Sequence, residues 1–194
     1  MKELDEEIIE LRRKKKEAEF QDISKGVYIN NEMFEFKQQV IYEDKMSIML
    51  PVNFVSMPEK MAKIKYPSES RPQIIKTDYS GAVNFTFNLF DTAICPNQIQ
   101  GACDTMKKII KNMNPAYIFY EQKTEECRNT VCSFFDYKSY AMDAHVYNLV
   151  YVTSIGGKVM QGTFNCRFQD MEQWKNAAIQ VKNSILDLTE EKVP

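Results

Sequence analysis

The side chains that could carry out catalysis are few in this chain and far apart. His145 is the only histidine among 194 residues, and no serine or cysteine stands near it in a recognisable motif. A catalytic triad would need such a nucleophile and a carboxylate to be brought together by the fold. A histidine that begins a strand, directly after the Met142–Asp143 turn, is the simpler interpretation. We therefore predict no catalytic residue; an enzyme whose dispersed site combines His145 with a carboxylate or Cys132 is the alternative.

Two further patterns that often mark catalytic or phosphate sites have simpler explanations here. Glu125–Glu126 and Glu190–Glu191 are adjacent carboxylates in a loop and in the C-terminal tail, whereas a glycosidase needs two carboxylates that flank its substrate. Gly156–Gly157 lies between two strand patterns, whereas a phosphate-binding loop precedes a helix. The glycine pair predicts a tight hairpin turn.

The cysteines predict neither a disulfide framework nor a metal site. They are Cys95, Cys103, Cys127, Cys132 and Cys166. An odd number in a chain of this size does not indicate a disulfide-bonded scaffold. A zinc site would require closer pairs or more histidine than the chain contains. We expect reduced cysteines that mostly pack, with no metal and no cofactor.

Composition narrows the class of protein further. Hydrophobic residues make up 44% of the chain and charged residues 27%, with a net charge of −2 and a pI of about 5.6. Such a balance provides no overall field that attracts nucleic acid. No apolar run approaches the roughly eighteen residues of a membrane span, and residues 1–20 lack the apolar core of a secretory signal. We expect a cytoplasmic protein that neither binds nucleic acid nor inserts stably into a membrane.

The first twenty residues predict a charged helix that is separate from the main domain. Leu4, Ile8 and Leu11 are in helical register, and acidic residues precede the basic run Arg12–Lys16, which matches the helix dipole. We divide the chain into residues 1–24, a charged helix with a connector, and residues 25–194, one α+β domain. The apolar seam of this helix favours docking on a partner or on a second copy of the chain.

Period-two alternation and amphipathic stretches predict the elements that follow. The order is two strands, a proline-rich connection, two strands, a helix, four strands and a closing helix. In the last strand Met160, Phe164 and Cys166 share one face, and in the closing helix Trp174 begins an apolar stripe. Successive strands joined by short turns pair antiparallel. We predict an antiparallel sheet flanked by helices.

One predicted strand is apolar on both of its faces. Tyr147, Leu149 and Tyr151 share one face, and Val146 and Val150 lie on the other. Such a strand must be covered on both sides. Coverage by helices of the same domain is the favoured interpretation, and a tyrosine-rich surface that a partner covers is the alternative.

This order of elements resembles the PsbP-like and Mog-like α/β/α sandwich group, which includes the DcrB-like proteins. The resemblance rests on the opening MSIMLPVNFVSMP, the hairpin that ends GKVMQGTFNCRF, and the closing helix MEQWKNAAIQVKNSI with Trp174 near its start and Ile185 near its end. It covers about residues 33–188 and leaves the first helix as an addition. The resemblance implies a non-catalytic binding protein, since members bind small GTPases, belong to photosystems, or act as chaperones and adaptors for secreted bacterial effectors.

We therefore predict a non-enzymatic protein-binding module of the PsbP-like type. The resemblance favours a bacterial adaptor or chaperone for a secreted effector or one that bears a membrane segment. Its contact residues are predicted to be Tyr66, Arg71 and Tyr147. A structural subunit that forms a homo-oligomer through the N-terminal helix is a further alternative.

Overall fold

The computed structural model describes residues 9, 11–12, 14–16, 18–141 and 144–189. Within them lie three α-helices with complete bounds, helical positions between residues 9 and 19, and thirteen strands. The helices are α1 (Glu59–Lys65), α2 (Ile99–Met113) and α3 (Met171–Asn183). The strands are β1 (Gln21–Asp22), β2 (Gly26–Ile29), β3 (Glu32–Phe34), β4 (Phe36–Ile41), β5 (Met46–Pro51), β6 (Val55–Ser56), β7 (Ile74–Thr77), β8 (Asn84–Ala93), β9 (Ile118–Cys127), β10 (Thr130–Tyr140), β11 (His145–Ile155), β12 (Lys158–Arg167) and β13 (Leu186–Asp187).

A seven-stranded antiparallel sheet forms the centre of the fold. Its strand order is β6-β7-β8-β12-β11-β10-β9. The predicted hairpin turn at Gly156–Gly157 is confirmed, with φ of 59° and 72°, a region that glycine adopts without steric cost. This turn sets the register of β11 against β12, from Ile155 opposite Lys158 to Val146 opposite Arg167.

The first face of the sheet packs against α3 and strands β4 and β5. Trp174 of α3 is 2% exposed and contacts the rings of Phe34, Phe54 and Phe164 at centroid distances of 4.9 to 6.0 Å. The predicted apolar stripe of the closing helix therefore covers the sheet, as its periodicity indicates.

The second face of the sheet is covered by α2 and α1. Ile99 and Cys103 of α2 pack on Phe135, Val150 and Val152, whereas α1 covers the opposite end of this face through Ala62. Helices of the domain thus cover β11 on both faces, which was the favoured interpretation. The predicted α+β sandwich is confirmed.

The segment before Phe34 differs from the prediction of a helix and connector. Part of the predicted helix lies outside the described residues; Ile9, Leu11, Lys14–Lys16 and the other described positions up to Glu19 are helical and exposed. From Gln21, however, the chain forms β1, β2 and β3, a second antiparallel sheet. Ile23 and Ile29 are buried in the main core, so the packed domain begins before residue 25.

Candidate interaction surface

Three large apolar side chains are exposed together at one end of the central sheet. Ile64 of α1 is 82% exposed, Tyr79 is 81% exposed and Met61 is 43% exposed. Met61 and Ile64 are one helical turn apart, and the Met61 side chain lies beside Gly81, in the same turn as Tyr79. We call these three residues the α1 surface. Met61 thus links α1 to the turn that carries Tyr79, and neighbouring exposed apolar side chains can mark an interaction site.

The sequence around α1 explains why its apolar side chains face outwards. Pro58 precedes the helix, and Ala62 is its only buried residue. Because Ala62 packs in a small cluster with Met57, Ile75 and Tyr66, only a narrow side of this short helix faces the sheet. Met61 and Ile64 therefore lie outside that contact.

Hydrogen bonds hold α1 and the neighbouring turn in fixed relative positions. Lys65 Nζ donates to Gly81 O at 2.5 Å, and burial lowers the pKa of Lys65, against the opposing attraction of Asp78. Asp78 Oδ1 accepts from the backbone N–H of Val83 at 2.9 Å. The α1 surface is therefore built on an ordered turn, which limits the entropy lost when a partner binds.

Tyr66 and Arg71, two of the three predicted contact residues, lie together beside α1. Arg71 Nε donates to Tyr66 O at 3.3 Å, and Asn165 Nδ2 donates to Tyr66 Oη at 3.4 Å. Burial raises the pKa of Tyr66. These hydrogen bonds fix the chain after α1. Both side chains are half-buried, so part of each residue remains accessible to a partner.

Tyr147, the third predicted contact residue, lies elsewhere and has no exposed surface. Its hydroxyl donates to Asp136 Oδ2 at 2.9 Å beneath α3. Asp136 also accepts from Lys175 Nζ at 2.8 Å and from the backbone N–H of Glu121 at 2.6 Å. The prediction of Tyr147 as a contact residue therefore needs correction, because a partner cannot reach this side chain while α3 covers it.

Basic residues surround the α1 surface. The helix contains three lysines and one glutamate, and Glu59 is paired with Lys63 at 2.5 Å. Arg71, which donates to Tyr66 O after the helix, adds a fourth cation, and Asp78 of the neighbouring turn adds a second acid. The local charge is thus positive although the whole chain carries −2.

A groove continues this basic region around the end of the sheet. Its volume is about 1010 Å³, and its lining includes Lys65, His145 and Arg167. None of the described lining residues is acidic. In the part of the chain that the structure describes, the groove therefore has two cationic lining residues, Lys65 and Arg167.

His145 lies on this open groove and is exposed. Its ring meets the edge of Tyr140 at a centroid distance of 5.0 Å. Cys132 pairs with Thr153, eight residues further along β11, and is fully buried. The fold therefore keeps His145 and Cys132 apart, whereas the pairing of His145 with a carboxylate stays an alternative.

The sequence interpretation missed the three residues of the α1 surface. A signal was present, since Met61 and Ile64 have helical spacing in a stretch that is otherwise charged. Their exposure could not be deduced from this spacing, because a short amphipathic helix normally packs its apolar residues inwards.

Comparisons with known proteins identify the class of fold. No family model and no curated protein sequence matches this chain. Among solved structures, the chain shares the PsbP-like fold with the cyanobacterial PsbP (CyanoP) of Synechocystis. The TM-score is 0.57 at 11% identity, over 78% of this chain and 92% of that one. The chain is therefore an α+β protein with a PsbP-like fold.

Two further structures share this fold. LpqN of Mycobacterium tuberculosis, which is involved in cell envelope biogenesis, has a TM-score of 0.50 at 12% identity, over 81% of this chain and 93% of that one. A Bacteroides thetaiotaomicron protein has a TM-score of 0.51 at 10% identity, over 80% of this chain and half of that one. At these identities the likeness concerns the fold, and kinship with DcrB-like proteins or effector chaperones remains a prediction.

None of the helices in the described part of the chain is long and apolar enough to cross a bilayer.

Proposed function

We propose that this chain is a non-catalytic protein-binding module whose α1 surface binds a partner segment that carries both apolar and acidic side chains. The observation that supports this proposal is the exposure of Ile64, Tyr79 and Met61 inside a rim of basic residues. Apolar side chains at the centre of a patch supply binding energy, and charges at its rim steer and orient the partner.

The apolar residues can supply useful affinity without a large interface. Full burial of one such side chain contributes about 1.5–3 kcal/mol. Ile64 and Tyr79 are each more than four-fifths exposed, so nearly all of their area remains to be buried. A partner helix or extended segment that covers both side chains buries this apolar area. Carboxylates of the partner opposite Lys60 and Arg71 pair with the basic residues.

The finer proposal is that the module acts in the cytoplasm as an adaptor or chaperone for a secreted effector or one that bears a membrane segment. The resemblance to effector chaperones implies this role, and in this proposal the α1 surface is the site that holds the client. Such a client exposes apolar segments before export, and a fixed apolar patch with a charged rim protects them from aggregation. The shared fold is compatible with this role and with others, because one fold hosts many functions.

The experiment is affinity capture from native lysate with the tagged full-length protein, compared with the variants Ile64→Asp and Tyr79→Ser. A partner captured in stoichiometric amount by the wild type should be lost from both variants. The matched control is Ile109→Asp, which changes a residue of α2 that is 54% exposed at another part of the molecule. Equal capture by all four proteins would refute the α1 surface as the binding site.

A binding assay with the identified partner then tests the charge complementarity. Arg71→Glu should weaken binding while the circular dichroism spectrum stays that of the wild type, and the loss should shrink as salt screens the rim charges. Loss of folding in this variant would instead give Arg71 a structural role through its hydrogen bond to Tyr66 O.

A further inference from the structure

Two of the five cysteines lie together at the closed end of the β9–β10 hairpin, away from the α1 surface. Cys127 pairs with Thr130, and Cys132 pairs with Glu125, so the two cysteines are diagonal neighbours on the same face of the sheet. They are 1% and 0% exposed. Both thiols lie in the buried core layer that also contains Val181 of α3.

A fully buried lysine of α3 lies against this thiol pair. Lys182 Nζ is 3.7 Å from Cys127 Sγ, 2.6 Å from Asn183 Oδ1 and 2.5 Å from Glu125 Oε1. It also lies 4.7 Å from the ring centroid of Phe134. A buried ammonium group beside a thiol favours the thiolate, which is the reactive form of cysteine.

The surroundings make the two thiols chemically unequal. The neighbouring thiol of Cys132 and the ammonium group of Lys182 lower the pKa of Cys127, against the opposing effect of burial. The neighbouring thiol of Cys127 and burial raise the pKa of Cys132 well above its usual value. Cys127, whose thiol donates to Asn183 Oδ1 at 3.4 Å, is therefore the cysteine that ionises more readily, and Cys132 is the one that stays protonated until it reacts.

We propose that Cys127 and Cys132 are a site of reversible oxidation, at which a hydroperoxide converts the thiol pair to a disulfide. The Cys127 thiolate attacks one peroxide oxygen, the O–O bond breaks and hydroxide leaves, which makes Cys127 a sulfenic acid. The Cys132 sulfur then attacks the Cys127 sulfur, the S–O bond breaks, and the Cys132 proton leaves with the hydroxyl group as water. Overall, two thiols lose two electrons and two protons, and hydrogen peroxide is reduced to two molecules of water.

The position of the pair makes the oxidation local and reversible. The Glu125 side chain, which contacts Lys182, is 19% exposed, so this side chain separates the cluster from solvent. Diagonal neighbours in an antiparallel pair are farther apart than residues directly opposite each other. The disulfide therefore strains the end of the hairpin, and strained disulfides are more easily reduced.

The test treats the reduced full-length protein with hydrogen peroxide, blocks the remaining thiols with N-ethylmaleimide and maps the tryptic peptides by mass spectrometry. Trypsin cleaves after Arg128, so the disulfide joins the peptides 124–128 and 129–138. We expect this linked pair to appear, with its mass lowered by two hydrogen atoms relative to the two free peptides, and to disappear after reduction. Recovery of both peptides with alkylated thiols, while exposed Cys95 is oxidised, would overturn the proposal.

Variants separate the proposed chemistry from a packing role. Cys132→Ser should stop the reaction at the sulfenic acid of Cys127, which dimedone traps. Lys182→Met should slow disulfide formation about tenfold for each unit by which the Cys127 pKa rises, and Lys182→Arg should restore the rate. The matched control Cys95→Ser should react like the wild type. Equal rates in the Lys182→Met and wild-type proteins, both folded by circular dichroism, would also overturn the proposal.

Discussion

Asp136 is a carboxylate with no exposed surface, and three donors hold it in place. They are the hydroxyl of Tyr147, the ammonium group of Lys175 and the backbone N–H of Glu121. A buried carboxylate is tolerated only when its oxygens are hydrogen-bonded and its charge is compensated. Because Lys175 belongs to α3 and Asp136 to β10, this group attaches the closing helix to the central sheet.

The first prediction at the residue scale concerns the hydroxyl of Tyr147. Tyr147→Phe keeps the ring in the core but removes one donor from Asp136. We expect a loss of about 1–3 kcal/mol in the free energy of unfolding, measured by urea denaturation. Tyr79→Phe, which removes an exposed hydroxyl group, serves as the control and should change stability by less than about 0.5 kcal/mol. Equal midpoints for the two variants would contradict the role assigned to Asp136.

A second residue-scale prediction concerns the pH dependence that Glu125 confers. Burial raises the pKa of Glu125, but hydrogen bonds from Lys123 and Lys182 outweigh it, so that the net pKa lies below the ordinary value of 4.5. A lowered pKa in the folded state means that the stabilisation is complete above pH 4.5 and is lost as the pH falls through the folded-state value.

Glu125→Gln should therefore destabilise the protein most at neutral pH. The loss is expected to be about 3 kcal/mol, because Lys182 remains buried without its counter-ion. The difference between variant and wild type should shrink as the pH falls below 4.5, as measured by urea denaturation across the pH series. A difference that stays constant down to acidic pH would show that the carboxylate charge does not stabilise Lys182.

At the scale of elements, the packing of a β11 ring against β12 requires a residue without a side chain on β12. Gly162 faces Tyr151 across the ladder, and the Tyr151 ring lies over the glycine. A Cβ at residue 162 would be 2.0 Å from Tyr151 Cζ. The absence of a side chain at Gly162 is therefore what lets the buried Tyr151 ring occupy the core.

Gly162→Ala should destabilise the fold by about 3 kcal/mol, since the methyl group forces the ring or the strand to move. Thermal unfolding measures this loss, and Tyr151→Leu should restore part of it in the double variant by removing the ring atoms that clash. Gly101→Ala is the control: this helical glycine of α2 has open space around it, so alanine should stabilise the protein by about 0.5–1 kcal/mol. Equal stability of the Gly162→Ala and Gly101→Ala variants would refute the close packing of Tyr151 on Gly162.

At the scale of the whole molecule, the described helical residues before Phe20 contribute little to the packed domain. Ile9 is 65% exposed and Leu11 is 62% exposed, whereas Gln21 pairs with Val27 and accepts a hydrogen bond from Gln180 of α3. The natural boundary for a truncation thus lies before Gln21.

Deletion of residues 1–19 should leave the free energy of unfolding, measured by urea denaturation, within about 0.5 kcal/mol of the wild type, because the described positions of this segment are exposed and exposed positions contribute little. Deletion of residues 1–24 should cost more, since it removes Ile23 from the core. Light scattering on the same proteins tests the homo-oligomer alternative: a mass that falls from dimer to monomer upon deletion of residues 1–19 would assign dimerisation to the helix. Equal stability of the two truncated proteins would contradict a domain boundary just before Gln21.

The sequence by itself determined the faces of the main elements. Alternation placed Phe85, Phe87 and Phe164 on one side of the sheet, and helical spacing placed Trp174 and Val181 on the side of α3 that meets them. The class of fold followed from the order of elements. These features were predictable because a period of two or of 3.6 residues depends only on the local backbone.

Only the tertiary structure decided which distant side chains meet. Nothing in the local sequence distinguishes Lys182, which is fully buried beside Glu125 and Cys127, from the other lysines. The same holds for Lys175 on Asp136, 39 residues away, and for the outward side of α1. Periodicity specifies which face of an element is buried, whereas the pairing of elements far apart in the chain specifies what that face contacts. The position of Lys182 beside the thiol pair depends on such long-range pairing, so only the folded protein reveals it.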